Sequence, residues 1–274
     1  MRRFKFFGLL LTLPYLFSTT YPATVEPQEC GRVDEAQLWN GELLTHPNEH
    51  PWIGKIKDND GSRRLPCVAV LIGARHALTA SRCVHDPSVE IKDLIFGDWS
   101  SGNTSTYITA KATQKVPVKQ LIIHPNYKYG EFGNNVAIIE LKKNVVNTDF
   151  VQPICLPTVE NQKYIEDLTV AGYERPFLQA IPMETRRIKL PLESSTSQEC
   201  RTQFENFPKE FTCGHTSRMP LSGSALVVAV GNPKKFTLVG IVVAGFRSSS
   251  RKKDLQIHIK ILSQLDWILR NTSE

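Results

Sequence analysis

Residues 67–83 read Cys67-Val-Ala-Val-Leu-Ile-Gly73, then Ala-Arg-His-Ala, then Leu78-Thr-Ala-Ser-Arg-Cys83. The run Val68–Ile72 is apolar, rich in branched side chains and stopped by a glycine, which is the pattern of a short strand closed by a turn. The same pattern repeats outward at Leu121–Ile123, Val136–Leu141, Leu168–Ala171, Ala225–Val230 and Thr237–Val243, each bounded by Gly, Pro, Asn or Asp. Many short strands without alternating helices predict an all-β barrel or sandwich. The end of the chain differs. Ile261, Leu262, Leu265, Ile268 and Leu269 recur at three- and four-residue steps, with Trp267 beside them, and predict one closing amphipathic helix. No internal repeat, low-complexity tract or long linker interrupts the pattern.

At 274 residues, 41% hydrophobic and 22% charged, the chain has the composition of a globular protein rather than a disordered one. Its first residues read as an export signal over 1–20: Arg2, Arg3 and Lys5 are followed by the apolar run Phe6–Phe17. That run is too short to cross about 30 Å of hydrocarbon as a helix. Ser18 and Thr20 mark a cleavage site, with Ala23 as a second candidate. Removing the three basic residues of the signal lowers the formal charge from +6 to +3, a weak argument for an acidic partner. Arg247, Arg251, Lys252 and Lys253 form the one notable basic cluster, read either as a solvated loop or as a contact for anionic glycan or microbial surfaces. Six cysteines in an exported chain predict three disulfides. The sequons at Asn103 and Asn271 are glycosylation candidates for the same compartment.

The stretch Cys67–Gly73 with Leu78–Cys83, and the spacing of 16 between the two cysteines, resemble the first barrel of trypsin-like (chymotrypsin-fold) serine proteases. Further matches follow in the family's order: His50-Pro-Trp52, Ile123-His-Pro-Asn-Tyr127, Asn134-Asn-Val-Ala-Ile-Ile-Glu-Leu141 and Gln152-Pro-Ile-Cys-Leu-Pro157. Val170-Ala-Gly-Tyr173, Pro220-Leu-Ser-Gly-Ser-Ala-Leu226 and Leu265-Asp-Trp-Ile268 complete the set. The Cys30-Gly31 start and the position of Cys155 look most like the arthropod clip-type branch, here without a clip module. The resemblance implies two six-stranded antiparallel β-barrels with a C-terminal α-helix. It implies the pairings Cys67–Cys83, Cys200–Cys213 and Cys30–Cys155. It also divides the chain into the signal (1–20), a short segment carrying Cys30 (21–38) and one protease-like domain (39–274).

On that alignment the catalytic positions are degenerate. Peptide hydrolysis in the family needs a hydroxyl nucleophile, an imidazole that takes its proton and a carboxylate that orients the imidazole. Arg82 stands at the imidazole position, and a guanidinium has no acceptor. Asn135 stands at the carboxylate position; that change alone costs about 10⁴ in kcat where the histidine is kept. Ser222 keeps the nucleophile position. Pro220 stands where the family's glycine donates one oxyanion N–H, and proline has none. His85, three residues after Arg82, reads as a surface histidine rather than a substitute base. Activation is altered too. The junction falls at Leu38–Trp39, which is not basic, and Leu221 replaces the aspartate that receives the new ammonium. A cut after Arg32, exposing Val33, is the alternative. The groove's edge strand corresponds to Val243-Ala244-Gly245, its pocket wall to Gln256 and its floor to Thr216.

The resulting expectation is a secreted, non-catalytic serine protease homologue that acts as cofactor, decoy or adaptor in an extracellular protease cascade of immunity or development. Two other readings compete: an active trypsin-like endopeptidase using Ser222, and a glycan or microbial-surface binder using the basic cluster. Loops at Asp58–Arg64 and Phe246–Asp254, with Arg251, Lys252 and Lys253, are the binding candidates. The expected partners are extracellular proteins, proteases or zymogens among them, with no nucleic acid and no membrane span. No cofactor or metal is called for.

Overall fold

A computed structural model describes residues 29–32, 34, 41–59, 66–99, 112–159, 167–174, 186–204, 207–247 and 253–273. The signal segment, Val33, Leu38, Asn103, Arg251 and Lys252 lie outside the described residues, as does most of the loop 58–64. Strands β1 (Ile53–Asp58), β2 (Val68–Leu71), β3 (His76–Thr79), β4 (Ile91–Phe96), β5 (Gln114–Ile123) and β6 (Ala137–Leu141) close a barrel in the order β1-β2-β3-β6-β5-β4. Closure leaves no exposed edge, and Val68, Val70, Leu78, Leu94, Ile138 and Leu141 fill the interior.

The second half folds as β7 (Thr169–Tyr173), β8 (Arg187–Pro191), β9 (Glu193–Ser194), β10 (Phe211–Thr216), β11 (Ala225–Val230), β12 (Lys235–Phe246) and β13 (Asp254–Lys260). These form a seven-stranded antiparallel sheet in the order β8-β7-β11-β12-β13-β10-β9. The expected two-barrel architecture holds, with the second barrel present as an open half-barrel of seven strands. Its two edges, β8 and β9, are separated in the chain by Leu192 alone. The break falls beside Pro191, which lacks the N–H of a ladder residue. One bent segment therefore serves both edges, and β8 is further covered by residues 43–45 through Thr45 N to Arg187 O and Lys189 N to Leu43 O.

Helices are few, as the strand-rich pattern predicts, but the sequence reading missed one. Helix α1 (Ser197–Gln203) starts on a capping box: Thr196 Oγ1 accepts from Glu199 N, and Glu199 Oε2 accepts from Thr196 N. Its sequence sign, Thr196-Ser-Gln-Glu199, is purely local, and the helix presents Cys200 to Cys213 on β10. The C-terminal helix divides into a 3-10 turn, Ile261–Gln264, and α2, Leu265–Thr272. Disulfides join Cys67 to Cys83, Cys200 to Cys213 and Cys30 to Cys155, the last fastening the N-terminal segment to the body. Among the described residues no helix is long and apolar enough to cross a membrane.

A buried charged group lies where the segment before β1 meets β8. Lys189 Nζ sits 2.6 Å from Glu49 Oε1, and Arg187 Nη1 donates to the Glu49 carbonyl at 2.7 Å. All three side chains are buried. The neighbouring His50 packs against Trp52 and Phe236, and burial, with help from Arg187 and Lys189, pushes its pKa down to about 3.

Candidate functional site

The site is assembled by the turn after β3, the turn before β6 and the segment before β11. Thr79 Oγ1 donates to Val68 O and Ser81 Oγ to Val136 O, both at 2.7 Å. These bonds and the Cys67–Cys83 bridge fix a 3-10 turn, Ser81–Cys83, against β2 and β6. Arg82 lies at its centre with its side chain exposed toward the groove between the two halves. Asn135 is 3% exposed, and its Oδ1 accepts from the backbone N–H of Arg82 at 3.1 Å. The preceding Asn134 takes φ 53°, a left-handed conformation asparagine tolerates better than most residues. Asn135 thus braces the Arg82 backbone rather than a side chain.

Ser222 is held from both sides of the groove. Its carbonyl accepts from Val68 N at 3.0 Å, and the next residue, Gly223, donates to Val242 O at 2.8 Å. Gly223 has φ 88°, and a Cβ there would lie 1.8 Å from Val68 O, so glycine is required by both conformation and space. The Ser222 hydroxyl accepts from Arg82 Nη1 at 2.6 Å, and the same nitrogen reaches Val243 O at 3.5 Å. Arg82 therefore spans the groove from the first half of the molecule to the second. A guanidinium here offers Ser222 a donor and no acceptor, so it takes no proton from the hydroxyl.

The other sequence candidates fall around this contact. Pro220 and Leu221 line the same cleft, a space of about 360 Å³. Pro220 pairs in an isolated bridge with Glu174, and Leu221 is buried, its N–H donating to Tyr173 O. His85 does not reach Ser222 in any hydrogen bond; it stacks on Tyr129 at 5.6 Å and meets the edge of Tyr127 at 5.4 Å. Thr216 is buried and donates to Arg218 O. Arg32 pairs with Asp149 at 2.7 Å. Lys253 is not a free cation, since it pairs with Glu193 across the sheet edge. Asn271 Nδ2 donates to the Trp267 carbonyl within α2.

Two features escaped the sequence reading. Met219 and Gln256 fill the space behind the groove edge: Gln256 Nε2 lies 3.4 Å from Met219 Sδ, and both side chains are buried. A Cβ on Gly245 would come within 2.3 Å of Met219 Sδ and 2.8 Å of Gln256 Oε1. The position of Gln256 was legible, but the sulfur opposite it was not, because Met219 is brought there by the segment leading to Ser222. The second feature is an aromatic wall. Tyr127, Tyr129, Phe132 and Phe246 line one side of the cleft, and Phe132, Phe204 and Phe246 touch one another at 5.1–6.5 Å. The spacing Tyr127-Lys-Tyr129 with Phe132 was its only sequence sign. Among the described residues no cluster of His, Cys, Asp and Glu is arranged to hold a metal ion.

The trypsin family profile matches residues 40–268. The chain is 24% identical to the CLIP domain-containing serine protease HP8 of Bombyx mori, over 90% of this chain and 73% of that protein. It is 28% identical to phenoloxidase-activating factor 3 of Holotrichia diomphalia, over 89% of this chain and 74% of that protein. Mannan-binding lectin serine protease 1 of Mus musculus is 27% identical over 81% of this chain and a third (33%) of its own length.

Proposed function

We infer that this chain, which belongs to the trypsin family, is a member that no longer cuts peptide bonds and acts by binding other proteins outside the cell. The observation that carries the reading is the contact between Arg82 Nη1 and Ser222 Oγ. An active member needs a proton acceptor at that place, and a group that is cationic at every relevant pH supplies none. Three further features support the reading independently. Asn135 offers an amide where a carboxylate would orient a base; Pro220 has no N–H for an oxyanion; and Met219 with Gln256 occupies the space that would take a substrate side chain.

The binding role is supported by what the molecule keeps. Three disulfides and a closed barrel hold surface loops in place, and binding needs held loops rather than a working triad. The likeness to HP8 and phenoloxidase-activating factor 3 points to extracellular protease cascades as the setting, with a protease or zymogen as partner. The purified protein is expected to hydrolyse neither peptide nor ester substrates. Turnover that disappears in a Ser222→Ala variant would refute the reading, and covalent labelling of Ser222 by a fluorophosphonate would do the same.

A further inference from the structure

The guanidinium of Arg82 has five N–H donors, and its contacts use only Nη1. Among the described residues no carboxylate pairs with it, and Nε and Nη2 donate to nothing. Its Nε–Nη2 edge is the side that takes a carboxylate in two parallel hydrogen bonds. Ser222 and Val243 hold the opposite side, so the edge is presented rather than swinging freely. Glu131, the one acid among the described residues lining the cleft, faces Lys128 at 3.9 Å.

The surroundings narrow the ligand. The space behind the groove edge is filled by Met219 and Gln256, so a bound group stays at the mouth. There it meets Tyr129, 78% exposed, and Phe246, 40% exposed, on the aromatic wall. Beyond Ile241, β12 no longer pairs with β11, while Ala244, Gly245 and Phe246 keep their β13 partners on the other side. This leaves a short strand edge facing the cleft, which suits an extended chain better than a small anion.

We propose that the cleft mouth is a receptor for a carboxylate carried on an extended peptide, clamped by the outer edge of Arg82 and flanked by an apolar side chain against Tyr129 and Phe246. The proposal rests on the non-catalytic reading and names the ligand chemistry of that same site. The carboxylate belongs either to a peptide C-terminus or to an Asp or Glu side chain; both give the fork the same two oxygens.

Fluorescence anisotropy with the whole protein separates these sources. The probes are dye-labelled Ala-Ala-Ala-Phe with a free C-terminus against its amide, and dye-labelled Ala-Ala-Phe-Asp-amide against Ala-Ala-Phe-Asn-amide. The expected result is that at least one acidic probe binds about tenfold or more tighter than its neutral twin, as a charged hydrogen-bonded pair requires. Arg82→Gln removes that preference, and Arg82→Lys keeps only part of it, since an ammonium cannot make the two-pronged contact. If Arg82→Gln fails to fold, Arg82→Lys decides. Equal binding of both twins in each pair, or an undiminished preference in the folded variant, overturns the proposal. Mass spectrometry of the same mixtures keeps the two claims apart. Intact peptides without preference sink this inference alone, whereas cleaved peptides sink the non-catalytic reading.

Discussion

Arg82 donates to Ser222 across the groove at 2.6 Å, while the Arg82 backbone is itself braced by Asn135 at 3.1 Å. Together the three residues form a structural strut, and on the reading proposed above it stands where an active relative has its proton relay. The strut places a fixed cation at the groove mouth and engages the serine oxygen as an acceptor.

Restoring one partner should therefore not restore chemistry. Arg82→His is expected to show no peptidase activity, because its imidazole would meet an amide at Asn135 and no N–H at Pro220. Arg82→His with Asn135→Asp still lacks an oxyanion donor, a loss of about 10²–10³ in kcat by itself. Single-turnover assays with an activated ester check both variants. Robust peptide cleavage by the single variant would show that Arg82 does not occupy the base position.

The buried pair Lys189–Glu49 predicts an asymmetric stability effect. Glu49→Gln removes the carboxylate that Lys189 Nζ meets at 2.6 Å and should cost about 3–5 kcal/mol. Glu49→Gln combined with Lys189→Met should cost less than Glu49→Gln alone, since the buried ammonium is removed along with its carboxylate. Urea unfolding at neutral pH with the disulfides intact measures both. A double variant less stable than the single one would contradict this account.

Stability should fall as the solution is acidified from pH 7 toward pH 4. Burial pushes the pKa values of His50 and His258 down to about 3, whereas the unfolded chain protonates them near 6.5. Between those values the unfolded state binds more protons, so the contribution is complete above about pH 6.5 and shrinks as pH falls below it. At pH 5 the loss is about 2 kcal/mol per histidine. The melting midpoint followed from pH 7 to 5 should drop, and His258→Leu should flatten part of that drop. An unchanged slope in the variant would remove His258 from the explanation.

The basic loop gives a prediction about partners. Charge reversal at Arg251 and Lys252 is expected to weaken capture of partner proteins from native fluid while leaving the melting midpoint unchanged to within a degree or so, about 0.5 kcal/mol or less in stability. Lys253 is a poorer probe, because reversing it would set a carboxylate against Glu193. Undiminished capture by the loop variant would move the contact elsewhere. Capture lost at high salt and replaced by binding to sulfated glycan would favour the glycan-binding alternative.

Local pattern alone was enough to expect the strands at Val68–Ile72 and Ala225–Val230, because an apolar, β-branched run between turn residues carries its conformation in a few neighbours. That Arg82 offers no acceptor and Pro220 no N–H was equally legible, since what a residue can donate or accept does not depend on where it lies. Helix α1 was legible too, in the capping box Thr196–Glu199, but was passed over among strands. Tertiary structure alone decided the rest. It set the Arg82 guanidinium on Ser222, 140 positions away, and Met219 on Gln256, 37 positions away. It also joined Glu49 to Lys189 across 140 positions and brought the aromatic wall to the cleft. Each of these contacts depends on how two halves of the chain face one another, and that is fixed by burial summed over both cores rather than by any local stretch of sequence.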